Sequence, residues 1–126
     1  MRIKVDKADQ MFSWYVRKRD DHCMRCLSPV GYNLKGQPNT HENSHYFGRR
    51  KENTRYDPEN CDTLCTACHV TWGSEDREDY RDFKIKQLGE EGFKNLMIRS
   101  YLTKKKDRAA SYIYAKTLYD SIPSLE

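Results

Sequence analysis

The chain lacks any long apolar run: nothing in its 126 residues approaches the ~18 consecutive apolar residues of a membrane helix. The opening segment, Met1 to Asp6, is too polar to be a secretory h-region. These absences lead to the expectation of a soluble chain in a reducing cytoplasm. Apolar material is scarce throughout, with 37% hydrophobic against 33% charged residues and a mean hydropathy of -1.04. A core built from so little needs a staple. An excess of one charge is also missing. The net +4 is compatible with a polyanionic partner without demanding one. No internal repeat is present, and the length fits a single domain. The five cysteines are an odd number, which makes an all-disulfide framework awkward.

What is present is a pair of C-x2-C motifs, Cys23-Met24-Arg25-Cys26 and Cys65-Thr66-Ala67-Cys68. Four thiolates in two such pairs form the set that tetrahedral zinc prefers, whereas a redox C-x2-C would leave one pair unexplained. Structural zinc supplies about 10–16 kcal/mol in small peptides, more than any single packing contribution. Cys61 is the odd thiol and reads as a small buried residue, because the zinc shell is already full. The loop between the pairs is long for a zinc ribbon and must carry structure of its own.

The first helix is expected over Lys7–Asp20. Ala8, Met11, Phe12, Tyr15, Val16 and Arg19 fall on one face, Asp6 is the N-cap, and Asp9 sits at the third helical position. Arg17, Lys18 and Arg19 suit the negative pole of the helix dipole, with phosphate contact as the alternative. Thr40 to Tyr46 and a segment after Gly48 are expected to pair as a β-hairpin, followed by a turn at Tyr56-Asp57-Pro58-Glu59. Asp62 or Thr63 would then cap a helix carrying Leu64, Cys65, Cys68, His69 and Trp72. From Gly73 the pattern is helical. A helix capped by Ser74, with Tyr80, Phe83 and Leu88 on its apolar face, would stop at Gly89. Glu90 to Leu102 follows, with Phe93, Leu96, Met97, Tyr101 and Leu102 as its stripe. After a basic linker, Lys104 to Arg108, the last helix, Ala109 to Ser121, would bury Tyr112, Ile113 and Tyr119. The tail after Pro123 is expected to fray.

Two histidines and an asparagine lie where the cysteines would hold them. His69 follows Cys68 directly, so the zinc knuckle fixes its position, and His45 sits in a strand-like segment upstream of Asn60. Hydrolysis of a phosphodiester needs a base for water and a cation on the phosphate. A neutral imidazole, with an ordinary pKa of about 6.5, suits the first task. A second imidazole on the facing helix would hold the cation, and Asn60 would fix the intervening loop through side-chain to backbone hydrogen bonds. His41, on the same strand face as His45 at period two, is a candidate second cation ligand. Gly48-Arg49-Arg50-Lys51 and Arg55 lie close to His45 and are candidate DNA contacts; a solvated basic loop is the alternative. Such groups read phosphates rather than bases.

This order of residues resembles the HNH endonucleases, also called His-Me finger or ββα-metal nucleases, in their four-cysteine zinc form. It is most similar to the NinG/Rap recombination proteins of lambdoid phages. The matching stretches are Phe12-Ser13-Trp14-Tyr15-Val16-Arg17, Ser44-His45-Tyr46-Phe47, Arg55-Tyr56-Asp57-Pro58-Glu59-Asn60, both cysteine pairs and Leu88-Gly89-Glu90-Glu91. The resemblance implies an α+β fold: a small ββα-metal HNH core over 23–72, braced by the four-cysteine zinc site, with one N-terminal helix (6–22) and C-terminal helices (73–122). It implies His45 as general base, His69 as ligand of a catalytic Mg2+ or Mn2+, Asn60 as the loop-fixing residue, and Cys23, Cys26, Cys65 and Cys68 as structural zinc ligands. The implied partner is DNA, branched or single-stranded, in recombination or processing within a host cytoplasm. A non-catalytic zinc-dependent nucleic-acid-binding module is the competing reading. Two departures from the pattern stand out. Ser44 replaces the Asp that often precedes the base, and His69 stands where NinG-type members tend to have Asn. Tyrosine-rich C-terminal helices would complete the core, with a homodimer interface as a further use.

Overall fold

The computed structural model describes residues 5–123, so the opening residues and the tail after Pro123 lie outside it. Five helices and one two-stranded sheet follow in chain order. They are α1 Lys7–Asp20, β1 Glu42–His45, α2 Glu52–Arg55, β2 Cys61–Leu64, α3 Thr66–Val70, α4 Arg77–Tyr101 and α5 Arg108–Asp120. The α+β class expected from the sequence is present.

The capping box expected for α1 forms: Asp9 N–H donates to Asp6 Oδ1 (2.9 Å) and Asp6 N–H to Asp9 Oδ2 (3.0 Å). The helix stops at Asp21, whose left-handed φ of 65° lets its N–H reach the Arg17 carbonyl. Arg17 donates to the Thr40 carbonyl, and Arg19 to the carbonyls of Pro58 and Cys61. These arginines tie α1 to the loop and to β2, a role beyond the helix dipole.

The expected hairpin is corrected. β1 pairs antiparallel with β2, in a register that sets Glu42 opposite Leu64 and His45 opposite Cys61. The stretch after Gly48 is a turn leading into α2. The helix expected to begin at Asp62 or Thr63 starts instead at Thr66, with Cys65 as N-cap residue. Asp62 and Thr63 cannot serve as caps because both side chains are used inside the protein. β2 is buried at all four positions and its faces divide the molecule. Cys61 and Thr63 face α1, where Thr63 Oγ1 donates to the Val16 carbonyl (3.1 Å). Asp62 and Leu64 face the two C-x2-C pairs and α4. Polar residues in a fully buried strand leave no apolar run to read, which is why the strand escaped notice.

Two apolar clusters result. Ala8, Phe12, Val16, Tyr56, Cys61 and Ala115 pack α1 against α5. Cys23, Tyr46, Leu64, Cys68, Trp72, Tyr80 and Phe93 form the other, which includes one cysteine of each C-x2-C pair, with Trp72 stacked on Tyr80 at 4.8 Å. Between β2 and α4 lies a fully buried polar knot. Lys84 Nζ contacts Asp62 Oδ2 (3.0 Å) and the Glu59 carbonyl (2.5 Å), and the Tyr80 hydroxyl donates to Asp62 Oδ2 (2.9 Å).

The remaining helix boundaries also shift. Residues Thr71–Glu75 form a π turn in which Ser74 Oγ donates to the Val70 carbonyl, so Asp76, not Ser74, caps α4. Gly89, with φ of 78°, breaks α4 where a stop was expected, and a second helical segment continues directly from it. Phe93 and Leu96 are buried there, but Tyr101 and Leu102 are exposed. Arg108 belongs to α5, whose cap is Asp107, rather than to the linker. Ile113 is 65% exposed, contrary to its expected place in the core, while Tyr112 and Tyr119 are partly covered.

Candidate functional site

Cys23 and Cys26 sit on the turn after α1, and Cys65 and Cys68 span the start of α3. Their four Sγ atoms all lie within 4.8 Å of one another. A tetrahedral ion with Zn–S bonds of about 2.3 Å would set sulfur–sulfur edges of about 3.8 Å. Cys26 Sγ and Cys65 Sγ are 3.8 Å apart, so the donor set and its size fit zinc. Neighbouring donors disperse the thiolate charge: Cys26 N–H reaches Cys23 Sγ and Arg25 Nη1 reaches Cys68 Sγ, each at 3.5 Å. Ser28 Oγ lies 3.2 Å from Cys26 Sγ, and this contact brings the Cys26 thiol down to about 6. Cys61 is buried in the opposite cluster, with its thiol pushed up by burial, as befits a packing residue.

His45 closes β1. Its Nε2 is 2.9 Å from the Arg55 carbonyl. A carbonyl only accepts, so Nε2 carries the proton and Nδ1 keeps the lone pair. Burial pulls the imidazole down to about 4, so it is neutral at pH 7. The Arg55 carbonyl is itself held in place. The Arg55 guanidinium is buried against Asp9, which it contacts through both Nε and Nη2. Asn60, fully buried, closes the excursion from β1 to β2: its Nδ2 donates to the carbonyls of Phe47 (2.8 Å) and Thr54 (3.0 Å), while its Oδ1 accepts from Phe47 N–H (2.8 Å).

His69 projects from α3. Its Nδ1 donates to Glu42 Oε1 at 2.7 Å, which leaves Nε2 with the lone pair. Sequence reasoning missed Glu42. The available signal was the alternation of β1, which turns Glu42 and Ser44 away from the His45 face and toward α3 and α4. His41 lies just outside the strand with φ of 68°, and both ring nitrogens are engaged: Nε2 with Ser28 Oγ (3.0 Å) and the Ser28 carbonyl (3.1 Å), Nδ1 with Thr40 Oγ1 (3.0 Å). The structure thus brings Glu42, not His41, to His69. Ser44 is buried, 3.1 Å from the Tyr80 hydroxyl that also binds Asp62. An Asp at this position would place a second carboxylate beside Asp62 in a dry interior.

Glu42, Asn43 and His45 line a groove of about 240 Å3 with His41, Arg49 and a stripe of α1 and the residues before it, Val5, Asp9, Ser13 and Arg17. Among the expected DNA contacts, Arg49 lines this groove, Arg50 is exposed, and Lys51 lies over the Tyr101 ring at 4.7 Å. Arg55 does not qualify. It is 3% exposed and spent on Asp9, so its side chain holds the loop instead of facing solvent.

Among the described residues no helix is long and apolar enough to cross a membrane. Neither the curated proteins nor the solved structures include a match to this chain. The family model of the HNH endonucleases does match, over residues 23–75. That stretch, which this chain shares in likeness with the family, holds both cysteine pairs, His45, Asn60 and His69.

Proposed function

We propose that the protein is a metal-dependent DNA endonuclease of HNH type that hydrolyses phosphodiester bonds in DNA recombination or processing. The observation that carries this reading is His45: a neutral imidazole, tethered through Nε2 to the Arg55 carbonyl, with Nδ1 free to act on a groove shared with Arg49. In this reading Nδ1 takes the proton from the attacking water, and the Arg55 carbonyl stabilises the imidazolium that forms. Asn60 keeps that carbonyl in register by pinning the excursion that carries it. Glu42 fixes the tautomer and orientation of His69, the arrangement expected of a metal-ligating histidine with a carboxylate behind it. His69 Nε2 would hold the catalytic divalent ion. The chemistry that Mg2+ or Mn2+ would supply there is neutralisation of charge on the scissile phosphate and the leaving oxygen. Arg49, Arg50 and Lys51 supply phosphate contacts, and the four cysteines hold structural zinc away from the chemistry. The likeness to the NinG/Rap proteins supports branched or single-stranded DNA as substrate and action in a host cytoplasm. Exposed Tyr101, Leu102, Ile113 and Tyr114 on the C-terminal helices suit a homodimer contact.

The test is cleavage of supercoiled plasmid and of a synthetic four-way junction with Mg2+ or Mn2+, comparing the natural sequence with His45→Ala, both at full zinc content. Cleavage by the first and a loss of at least about a hundredfold in the second is the expected result. If neither cuts but both retard the DNA in a gel, the protein is a zinc-stapled binding module.

A further inference from the structure

In the groove beside His45, Asn43 carries a buried side-chain oxygen without a partner. It lies in β1 opposite Thr63, and strand alternation sends its side chain to the same face as His45. The residues on the other face have evident tasks, Glu42 on His69 and Ser44 against Tyr80. Asn43 Oδ1, by contrast, is buried with no hydrogen-bond partner. Its neighbours Asn60, Asp62 and Thr63 are buried too, and every one of them is paired. An unpaired buried amide oxygen is a cost that a β-branched apolar side chain at this strand position would avoid. The carboxamide has therefore to serve something besides the fold, and it lines the groove with Arg17, His45 and Arg49.

We infer that Asn43 is a substrate-contacting residue whose carboxamide donates to a phosphate oxygen of the nucleotide lying in the groove. An amide can turn about its last side-chain bond and offer N–H or C=O, and with no partner holding Oδ1 nothing fixes that choice before a group arrives. The two carboxylates on the groove are each paired, Asp9 with Arg55 and Glu42 with His69, so its arginines favour an anion there, which selects the N–H end. A contact of this kind positions the strand beside His45 without reading sequence. The inference rests on the proposed action on DNA.

It is tested with Asn43→Val and Asn43→Asp in the zinc-loaded protein. Three quantities are read: thermal midpoint, affinity for a duplex oligonucleotide with Ca2+ in place of Mg2+, and cleavage with Mg2+. For Asn43→Val the midpoint should hold or rise, while affinity and kcat/KM each fall about tenfold and equally across sequences. Asn43→Asp should lose more, through repulsion of phosphate. Unchanged binding and cleavage in Asn43→Val would overturn the inference. So would a loss that follows a lowered midpoint, or one confined to particular base sequences. If the natural protein binds DNA without cutting it, the nuclease reading fails, yet an affinity loss of about tenfold in Asn43→Val still supports the contact. If it neither binds nor cuts, both fall together.

Discussion

At the residue scale, His45 illustrates how a side chain of ordinary chemistry is retuned by where it is anchored. Burial disfavours its charged form and lowers its pKa to about 4. A lowered pKa keeps the imidazole neutral to more acid pH, so the protonation that would silence a base is displaced downward. The acid limb of kcat/KM, which reports the free enzyme, should therefore lie near 4 and leave the rate almost flat between about pH 7 and pH 5. A histidine titrating at its ordinary value of about 6.5 would lose about twenty-five-fold over that range. The check is a pH–rate profile with zinc content followed at each pH, and a limb centred near the ordinary histidine value would count against the buried tether. The place of His45, Asn60 and His69 in the fold was readable because each stands at a fixed offset from a cysteine pair or a strand. Glu42 was not, because its partner lies on another element, and choosing between Glu42 and His41 requires knowing where β1 begins.

Elements differ in the same way. α1 was legible to the residue, since its cap, its apolar stripe and its stop are all written within one local segment. β2 was illegible, since Asp62 and Thr63 look like turn or cap residues until α4 and α1 supply their partners. That dependence makes a measurable claim about how α4 is attached. Lys84 and Asp62 are both fully buried and pair at 3.0 Å. Replacing Lys84 by Met leaves the Asp62 carboxyl in a dry interior without its cation, with Tyr80 and Gln87 to answer it among the described residues. A cost of about 3–5 kcal/mol is expected, and Asp62→Asn in the same chain should restore part of it. Urea titration of the zinc-loaded proteins measures both, and a loss below about 1 kcal/mol would mean that α4 is held by its aromatic contacts alone.

For the whole molecule, the two apolar clusters differ in what sustains them. The α1–α5 cluster contains no zinc-site cysteine, whereas the other includes Cys23 and Cys68 among Tyr46, Trp72, Tyr80 and Phe93. Removing the metal should therefore act unevenly. A strong chelator is expected to abolish the near-ultraviolet signal of the stacked Trp72 and Tyr80 while much of the far-ultraviolet helix signal from α1 and α5 survives, and restored zinc should reverse the loss. Simultaneous collapse of both signals would mean that the clusters are one cooperative unit. The four cysteines were visible in the sequence; that they gather under only one cluster was not, because composition carries no geometry.

The two-sided burial of β2 has a consequence for how the chain can change length. Alternate residues of Cys61–Leu64 are committed to opposite halves of the molecule, so a single inserted residue there would deliver each side chain to the wrong half. The turn at Gly48 to Arg50, by contrast, begins and ends within an excursion that Asn60 closes. Extra residues at that turn would lengthen the basic arm beside the groove without disturbing the strands, so reach toward a partner can be altered there while the frame of the fold stays fixed.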